Sequence, residues 1–297
     1  MRGMAIVLDN GTVRAEISET GAELLSARRG GAEYIWGGDP AFWEERSPIL
    51  FPICGRLPDK TYLWRGKAHE LGLHGFARFA RFETAGSAPD RVRFELRDAP
   101  ETRARYPFSF LLSVEYRLVG ATLRIAATVR NEAGAGGEVL PFQLGFHPGF
   151  AVPLGGEGAF SDWEVAFDEP CDPDRVLFSE RSLPTGLRRA FPLRDRRVLP
   201  LEHGMFDAGG IFLAGVSKAA TLRSARSKRS VRMEFADFRY LGMWHTPDAE
   251  APFVCLEPWS GLPSFDGVRE DFATKSGMTR LAPGEAKSWR LALTFGA

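Results

Sequence analysis

The chain has 297 residues, of which 44% are hydrophobic and 26% charged, so it has enough apolar side chains for a sizeable core and too few polar ones for intrinsic disorder. Its 38 basic and 38 acidic side chains balance, which excludes the strong positive field that attracts nucleic acids or anionic membranes. No apolar stretch reaches the roughly eighteen residues of a membrane-spanning helix, and the run at residues 4–8 is too short for a secretory signal. We therefore expect a globular cytoplasmic protein that binds neither nucleic acid nor membrane.

Short segments of alternating apolar and polar side chains run from one end of the chain to the other. This alternation predicts strands in six segments, which in chain order are residues 13–17, 92–96, 112–118, 123–129, 231–235 and 289–295. Only Val119, Gly120 and Ala121, with Thr122, separate the third segment from the fourth. Such a short connection predicts an antiparallel hairpin.

Helical periodicity is scarce, and the best short helix is predicted at residues 268–275, with Gly277 as its stop. The chain lacks the alternation of strands and helices that a dinucleotide-binding fold needs, and residues 132–137 are predicted to be a loop. Strands lie on both sides of every candidate boundary. We therefore predict that residues 1–297 form a single domain, an all-β antiparallel sandwich with few short helices.

Several chemistries find no support in the sequence. The nucleophile elbow, the phosphate-binding Walker loop, the H-E-x-x-H zinc motif and the G-x-G-x-x-G motif are all absent. Cys54, Cys171 and Cys255 are widely spaced and odd in number, which predicts buried reduced thiols. His69 and His203 are predicted at the surface, and no histidine pair has metal-ligand spacing, so we expect no metal site.

Residues 46–57 do not look like an ordinary strand, because two prolines flank an apolar run and Arg56 follows Gly55 directly. A guanidinium that leaves a tight glycine turn is well placed to clamp a ligand, although an ordinary surface cation is the alternative. His74, which is followed by Gly75, is either a buried structural histidine or a second member of the same site.

Residues 141–150 form a second unusual segment. If this segment is a strand, one of its faces carries Gln143, Gly145 and His147. The missing side chain of Gly145 is expected to leave room for a small molecule beside the imidazole. Pro148 is expected to end the strand, which places His147 at the rim of the sheet.

Residues 251–261 form a third such segment, in which Glu257 ends an apolar strand and is followed by Pro258 and Trp259. Partial desolvation there would raise the pKa of the carboxyl toward the range of a useful general base. A rim glutamate paired with an arginine is the alternative reading.

Taken in order, these segments resemble the aldose 1-epimerase (galactose mutarotase-like) family, and most closely its LacX-type branch. Four motifs carry the resemblance: Gly55-Arg56, His74-Gly75-Phe76-Ala77-Arg78, Gly145-Phe146-His147-Pro148 and Cys255-Leu256-Glu257-Pro258-Trp259. The resemblance implies a β-supersandwich with an open sugar cleft, no required cofactor, and an isomerase activity on a small sugar. It leaves open which hexose is used and whether the protein is a monomer or a homodimer.

The resemblance also implies a role for individual residues. These are a binding arginine at Arg56, a first active-site histidine at His74, a general acid at His147, a general base at Glu257, an aspartate that holds sugar hydroxyls at Asp207 and an aromatic wall at Trp244. Exchange of anomers requires the C1 hydroxyl to lose a proton while the ring oxygen gains one. At ordinary pKa values near 4.3 and 6.5, a glutamate can accept the C1 hydroxyl proton and a histidine can donate a proton to the ring oxygen near neutral pH.

Three alternatives remain open. A hexose-6-phosphate mutarotase would use Arg56 and Arg78 as a phosphate clamp, since guanidinium groups suit phosphate oxygens. A non-catalytic carbohydrate-binding protein would use tryptophans only for stacking. A glycosidase would use Glu257 and Asp207 as its pair of carboxyl groups.

Overall fold

The computed structural model describes residues 4–297, and strands dominate this range. The strands are β1 (Ala5–Asp9), β2 (Arg14–Ser18), β3 (Leu24–Arg29), β4 (Ala32–Glu33), β5 (Ile49–Leu50), β6 (Thr61–Trp64), β7 (Lys67–Glu70), β8 (Glu83–Ala88), β9 (Arg91–Arg97), β10 (Phe110–Val119), β11 (Thr122–Asn131), β12 (Leu140–Phe142), β13 (Gly145–Phe146), β14 (Gly149–Ala151), β15 (Trp163–Phe167), β16 (Asp174–Phe178), β17 (Pro184–Ala190), β18 (Val198–Pro200), β19 (Ile211–Ala214), β20 (Ala219–Ser224), β21 (Ser230–Glu234), β22 (Tyr240–Trp244), β23 (Phe253–Trp259), β24 (Thr279–Leu281) and β25 (Ala286–Gly296).

Helices are few and short in the described range. They are the single-turn α-helix α1 (Pro100–Arg103) and 3-10 turns at Pro58–Lys60, Ala77–Phe79, Leu154–Gly156, Phe160–Asp162 and His203–Phe206. None of them is long and apolar enough to cross a membrane. The low helix content follows from the scarcity of helical periodicity in the sequence.

Two large antiparallel sheets organise the fold. One has nine strands in the order β18-β15-β20-β21-β25-β11-β10-β9-β8, and the other runs β17-β16-β19-β22-β23-β13-β5, with β14 also paired to β23. One buried apolar cluster includes Leu112 and Leu293 from the nine-stranded sheet and Leu241 and Leu256 from the other. The two sheets therefore share a core, and the predicted antiparallel sandwich is confirmed.

The predicted hairpin is present as β10 and β11, in which Leu118 pairs with Leu123. Leu112 and Leu118 are buried while Glu115 and Arg117 on the opposite face are exposed, as the alternation predicts. A shift of one residue would move this whole apolar set to the solvent face, so the pattern fixes the register.

The helix predicted at residues 268–275 is wrong. The backbone makes one turn there, and the Asp271 side chain accepts a hydrogen bond from the Ala273 N–H at 2.9 Å. Lys275 is buried, and its Nζ donates to Glu270 Oε2 at 2.7 Å and to the Pro263 carbonyl at 3.1 Å. The Lys275 N–H donates to the Asp271 carbonyl at 2.7 Å, which closes one turn, and the side-chain cap and the buried ion pair hold this turn without a longer helix.

The strand expected in residues 141–150, with its end at Pro148, is instead divided into β12 and β13, and β14 begins directly after Pro148. Residues 132–137 form the predicted loop. Cys54, Cys171 and Cys255 are buried free thiols, as predicted. β13 and β14 both pair with β23 in one register, Gly145 with Trp259 and Gly149 with Cys255, so His147 between them lies opposite Glu257.

Candidate functional site

A cavity of about 430 Å³ lies on one face of the sheet that contains β16, β19, β22 and β23. Six of the seven site residues predicted from the sequence line it: Arg56, His74, Arg78, His147, Trp244 and Glu257. They come from segments far apart in the chain, and the fold brings them together.

His147 and Glu257 contact each other at the wall of this cavity. Glu257 is in β23, and His147 directly follows β13, whose Gly145 pairs with Trp259 of β23. His147 Nε2 lies 3.2 Å from Glu257 Oε2, and the two residues are only 7% and 1% exposed. The imidazole and carboxyl groups are therefore in contact, although Glu257 Oε2 has no hydrogen-bond partner within residues 4–297 in the sugar-free cavity.

Burial favours the uncharged form of both groups. Desolvation raises the pKa of Glu257 to about 8, against a smaller opposing effect of the neighbouring Trp259 indole. Desolvation lowers the pKa of His147 to about 3, and the positive charge of Arg78 acts in the same direction. In the sugar-free cavity at neutral pH, the single proton of the pair therefore resides on the carboxyl group. This differs from the ordinary pKa values used in the sequence analysis, because the sequence does not show how completely the fold excludes water.

Two hydrogen bonds with Gly55 hold His74 in place. The Gly55 N–H donates to His74 Nδ1 at 2.9 Å, and the His74 N–H donates to the Gly55 carbonyl at 2.7 Å. Because Nδ1 accepts, the ring proton must be on Nε2. Burial, together with the positive charges of nearby groups, holds the pKa of His74 well below its ordinary value. His74 is therefore a neutral imidazole that can donate from Nε2.

Gly55 and Gly75 fix the two turns that carry Arg56 and His74, and both glycines have positive φ. A Cβ on Gly55 would lie 2.2 Å from Pro263 Cγ, and one on Gly75 would lie 2.3 Å from the Phe51 carbonyl oxygen. The turns that carry Arg56 and His74 are thus fixed by close packing. Arg56 itself is exposed at the cavity, and no carboxylate of residues 4–297 pairs with it, which leaves its guanidinium free to bind a ligand.

The space expected beside Gly145 is filled by protein, so that prediction is wrong. A Cβ at this position would lie 2.9 Å from Cys54 Sγ and 3.0 Å from Trp259 Cδ1. Gln143 is also buried outside the cavity lining, where its side chain accepts a hydrogen bond from the Cys54 N–H at 3.2 Å. Gly145 therefore permits close packing of Cys54 and Trp259 against β13, and it does not line the cavity.

Asp207 is not brought into the cavity. It is exposed, and its Oδ1 accepts a hydrogen bond from the Asp248 N–H at 3.2 Å, while the following residues 208–210 line the cavity. The glycosidase alternative, which paired Asp207 with Glu257, therefore lacks its second carboxyl group at this position.

Several cavity residues carry no local sequence signal and were not predicted as site residues: Glu45, Phe178, Ser179 and Phe212. The Trp43 ring centroid lies 4.9 Å from that of His147, and the Trp244 centroid lies 5.8 Å from it. The two indoles therefore enclose the imidazole and give the cavity apolar walls suited to the C–H faces of a sugar ring.

Unpartnered polar atoms concentrate in this cavity. Among residues 4–297, nine buried side-chain nitrogen or oxygen atoms have no hydrogen-bond partner, and five of them belong to cavity residues: Arg78 Nε, His147 Nδ1, Ser179 Oγ, Glu257 Oε2 and Trp259 Nε1. Buried polar atoms are normally hydrogen-bonded, so such a concentration calls for an explanation. A small polyhydroxylated ligand has the donors and acceptors that this cavity can use.

Comparisons with known proteins agree with this geometry. The aldose 1-epimerase family model matches residues 4–294. Two LacX proteins of Lactococcus lactis subsp. lactis, one plasmid-encoded and one chromosomal, are each 32% identical over 268 residues, which cover 87% of this chain and 88% of theirs.

Solved structures show the same likeness. A galactose mutarotase-like protein from Lactobacillus casei matches with a TM-score of 0.91 and 33% identity, covering 98% of this chain and 100% of that one. A galactose mutarotase related enzyme from Lactobacillus acidophilus matches with a TM-score of 0.93 and 29% identity, covering 99% and 98%. The resemblance seen in four short motifs thus extends over nearly the whole fold, and the chain belongs to the aldose 1-epimerase family of isomerases that act on carbohydrates.

Proposed function

We propose that this protein interconverts the α and β anomers of an unphosphorylated hexose. The observation that carries the proposal is the 3.2 Å contact between His147 Nε2 and Glu257 Oε2 on the wall of a cavity that is rich in unpartnered polar atoms. A protein that only bound sugar would have no need to bury two groups with such strongly shifted pKa values in contact with each other.

In the proposed reaction Glu257 accepts the proton of the C1 hydroxyl and His147 gives a proton to the ring oxygen. The C1–ring oxygen bond breaks, rotation about C1–C2 turns the aldehyde over, and reversal of the proton transfers closes the ring on the other face. The pair gains one proton and gives up one in each opening, so its total proton count does not change. Hydrogen bonds from sugar hydroxyls to the Glu257 carboxylate favour its charged form, which supports transfer of the shared proton to His147 on binding.

Other residues position the sugar in this proposal. The Nε2–H of His74 and the guanidinium of Arg56 donate to sugar oxygens, while Trp43 and Trp244 pack against the apolar face of the ring. Because His74 is held by two hydrogen bonds to Gly55, its donor direction is set before the sugar arrives.

The surroundings of Arg78 favour a neutral sugar over a 6-phosphate. Arg78 Nη1 lies 3.0 Å from Glu45 Oε2, and both side chains line the cavity while being mostly buried. A phosphate that approached Arg78 would therefore meet the Glu45 carboxylate, and juxtaposed like charges are strongly unfavourable. Of the two arginines considered as a phosphate clamp, Arg78 is paired with Glu45 and only Arg56 has no carboxylate partner within residues 4–297.

Polarimetry on freshly dissolved pure anomers tests this function. We expect the protein to accelerate equilibration of glucose or galactose, with kcat/KM at least about tenfold higher than for the corresponding 6-phosphates, since about 1.4 kcal/mol of charge repulsion corresponds to that factor. A preference for the 6-phosphate would contradict the neutral substrate. Saturable binding without faster equilibration would instead identify a carbohydrate-binding protein.

The substitution Glu45→Gln isolates the charge effect. It removes the negative charge beside Arg78 while keeping the size of the side chain, so the ratio of kcat/KM for 6-phosphate to that for free hexose should rise about tenfold. Glu44→Gln is a matched control, since Glu44 is exposed and forms no ion pair within residues 4–297. An equal rise in both variants would show that only the overall charge matters, and no rise in either would show that Glu45 does not exclude phosphate.

A further inference from the structure

We propose that the hairpin of β16 and β17 selects the sugar, with the Ser179 hydroxyl bound to a substrate hydroxyl remote from the anomeric carbon. This inference rests on the proposed function and extends it to a specificity-determining residue. Ser179 has no motif around it, and neither the sequence nor the reaction chemistry singles it out.

The tip of this hairpin forms one side of the cavity. Phe178, Ser179 and Ser182 all line it. The Ser179 N–H donates to the Leu183 carbonyl at 2.9 Å, and its carbonyl accepts from the Ser182 N–H at 2.8 Å. The turn therefore uses the backbone of Ser179 fully and fixes its position.

The Ser179 hydroxyl, in contrast, has no partner in the described range even though Oγ is buried. A hydroxyl can donate one hydrogen bond and accept two, and a buried one normally does at least one of these. A sugar hydroxyl has the same dual capacity, so the two groups can pair in either direction. This makes Ser179 a suitable partner for a neutral sugar and a poor one for an apolar ligand.

The sheet order places Ser179 away from the reacting centre. Strands β19 and β22 lie between β16 and β23, so the backbone of β16 is roughly 14 Å from that of β23. Phe212 of β19 lies between them over Gly242, whose Cβ would be 2.5 Å from the Phe212 ring. A ring with its anomeric end at Glu257 therefore has its far hydroxyls toward the hairpin.

Salt bridges hold the hairpin over the cavity. Arg181 at the tip pairs with Asp59 at 3.3 Å and with Asp266 at 3.2 Å, and Arg269 also pairs with Asp59 at 3.1 Å. Single exposed ion pairs contribute little, but this network joins the hairpin both to the turn after Arg56 and to the loop after Pro263. All three segments border the cavity, so the network fixes where Ser179 lies relative to the rest of the site.

Ser179→Ala tests the proposal in combination with a series of 2-, 3-, 4- and 6-deoxyhexoses. We expect KM for the parent hexose to rise about three- to tenfold with kcat within twofold, because a contact made equally in ground and transition states affects binding alone. For the one deoxyhexose that lacks the partner hydroxyl, the wild type and Ser179→Ala should have the same KM. A merely structural role would not produce this match.

The control is Glu180→Ala, since Glu180 is the next residue, is exposed and forms no ion pair within residues 4–297. An unchanged KM in Ser179→Ala, or an equal rise for every sugar in the series, would overturn the proposal. Dissociation constants from tryptophan fluorescence titration, measured on the same proteins and sugars, separate the two levels of inference. If the wild type binds hexose without accelerating anomer exchange, the proposed function fails, and these constants still show whether Ser179 recognises a particular hydroxyl.

Discussion

Replacing Glu257 by glutamine is expected to lower kcat for anomer exchange about 10²–10⁴-fold, equivalent to roughly 3–5 kcal/mol of transition-state stabilisation. The amide has nearly the shape of the carboxyl group but cannot accept the C1 hydroxyl proton. KM should change much less, because the amide oxygen can still accept a hydrogen bond from the sugar. Polarimetric initial rates on a pure anomer give both constants.

Loss of folding would not explain this result. The pKa of Glu257 is raised to about 8 in the folded protein. Between the ordinary carboxyl pKa and about pH 8, the unfolded chain therefore loses a proton that the folded chain retains. The free energy of unfolding consequently falls as pH rises through this range. Glutamine has no such charge, so thermal unfolding at pH 8 should show the variant to be at least as stable as the wild type. Glu250→Gln is the control, since Glu250 is exposed and unpaired within residues 4–297. Turnover of Glu257→Gln within threefold of wild type would remove Glu257 from the chemistry.

Replacing His147 by asparagine is expected to cause a loss of similar size, about 10²–10⁴-fold in kcat. Asparagine can form a hydrogen bond but cannot transfer a proton to the ring oxygen. Because His147 and Glu257 act as a unit, the double variant should be little slower than either single variant. Polarimetric initial rates of the wild type, the two single variants and the double variant measure this coupling.

The control for this series is His69→Asn, since His69 lies in β7 of the separate two-stranded sheet formed with β6. If the losses at His147 and Glu257 simply multiply, the two residues contribute independently and do not share one proton.

The alternation of side chains predicted six segments that all overlap strands of the structure, but it did not reveal other core-facing strands such as β15 and β20. It predicted β10 and β11 almost to their ends, because the alternate residues Leu112, Val114, Tyr116 and Leu118 and their partners face inward together. It failed at residues 268–275, where the segment is shaped by the Asp271 cap and the pairing of Lys275 with Glu270. Such contacts depend on which side chains the fold places nearby.

The candidate site also has one part that the sequence predicts and another part that it does not. Short motifs were enough to predict that Arg56, His74, His147 and Glu257 belong to one site, and all four line the cavity. The motifs do not reveal the lock between Gly55 and His74, which joins residues nineteen positions apart.

Cavity residues that lie outside the four motifs could not be predicted from the sequence either. Glu45 and Ser179 acquire their positions from the sheet order and from salt bridges between distant loops. Gly145 was misread because a glycine in a strand can equally leave space or admit a neighbouring side chain, and only the positions of Cys54 and Trp259 decide between these. The pKa shifts of His147 and Glu257 likewise require knowledge of how deeply the fold buries them.

The pH dependence of kcat/KM is the most direct test of whether His147 and Glu257 share a single proton. This constant reports the ionisations of the free protein, and the form with one proton on the pair is the active one. Since burial lowers the pKa of His147 and raises that of Glu257 to about 8, we expect activity to stay level through pH 6.5 and to fall only as pH rises through about 8, after subtraction of the uncatalysed rate. The contradicting result is a bell-shaped profile that falls near pH 6.5 on its alkaline side and near pH 4.3 on its acid side. These are about the ordinary pKa values of histidine and glutamate, so the two groups would titrate as they do in water and would not share one proton.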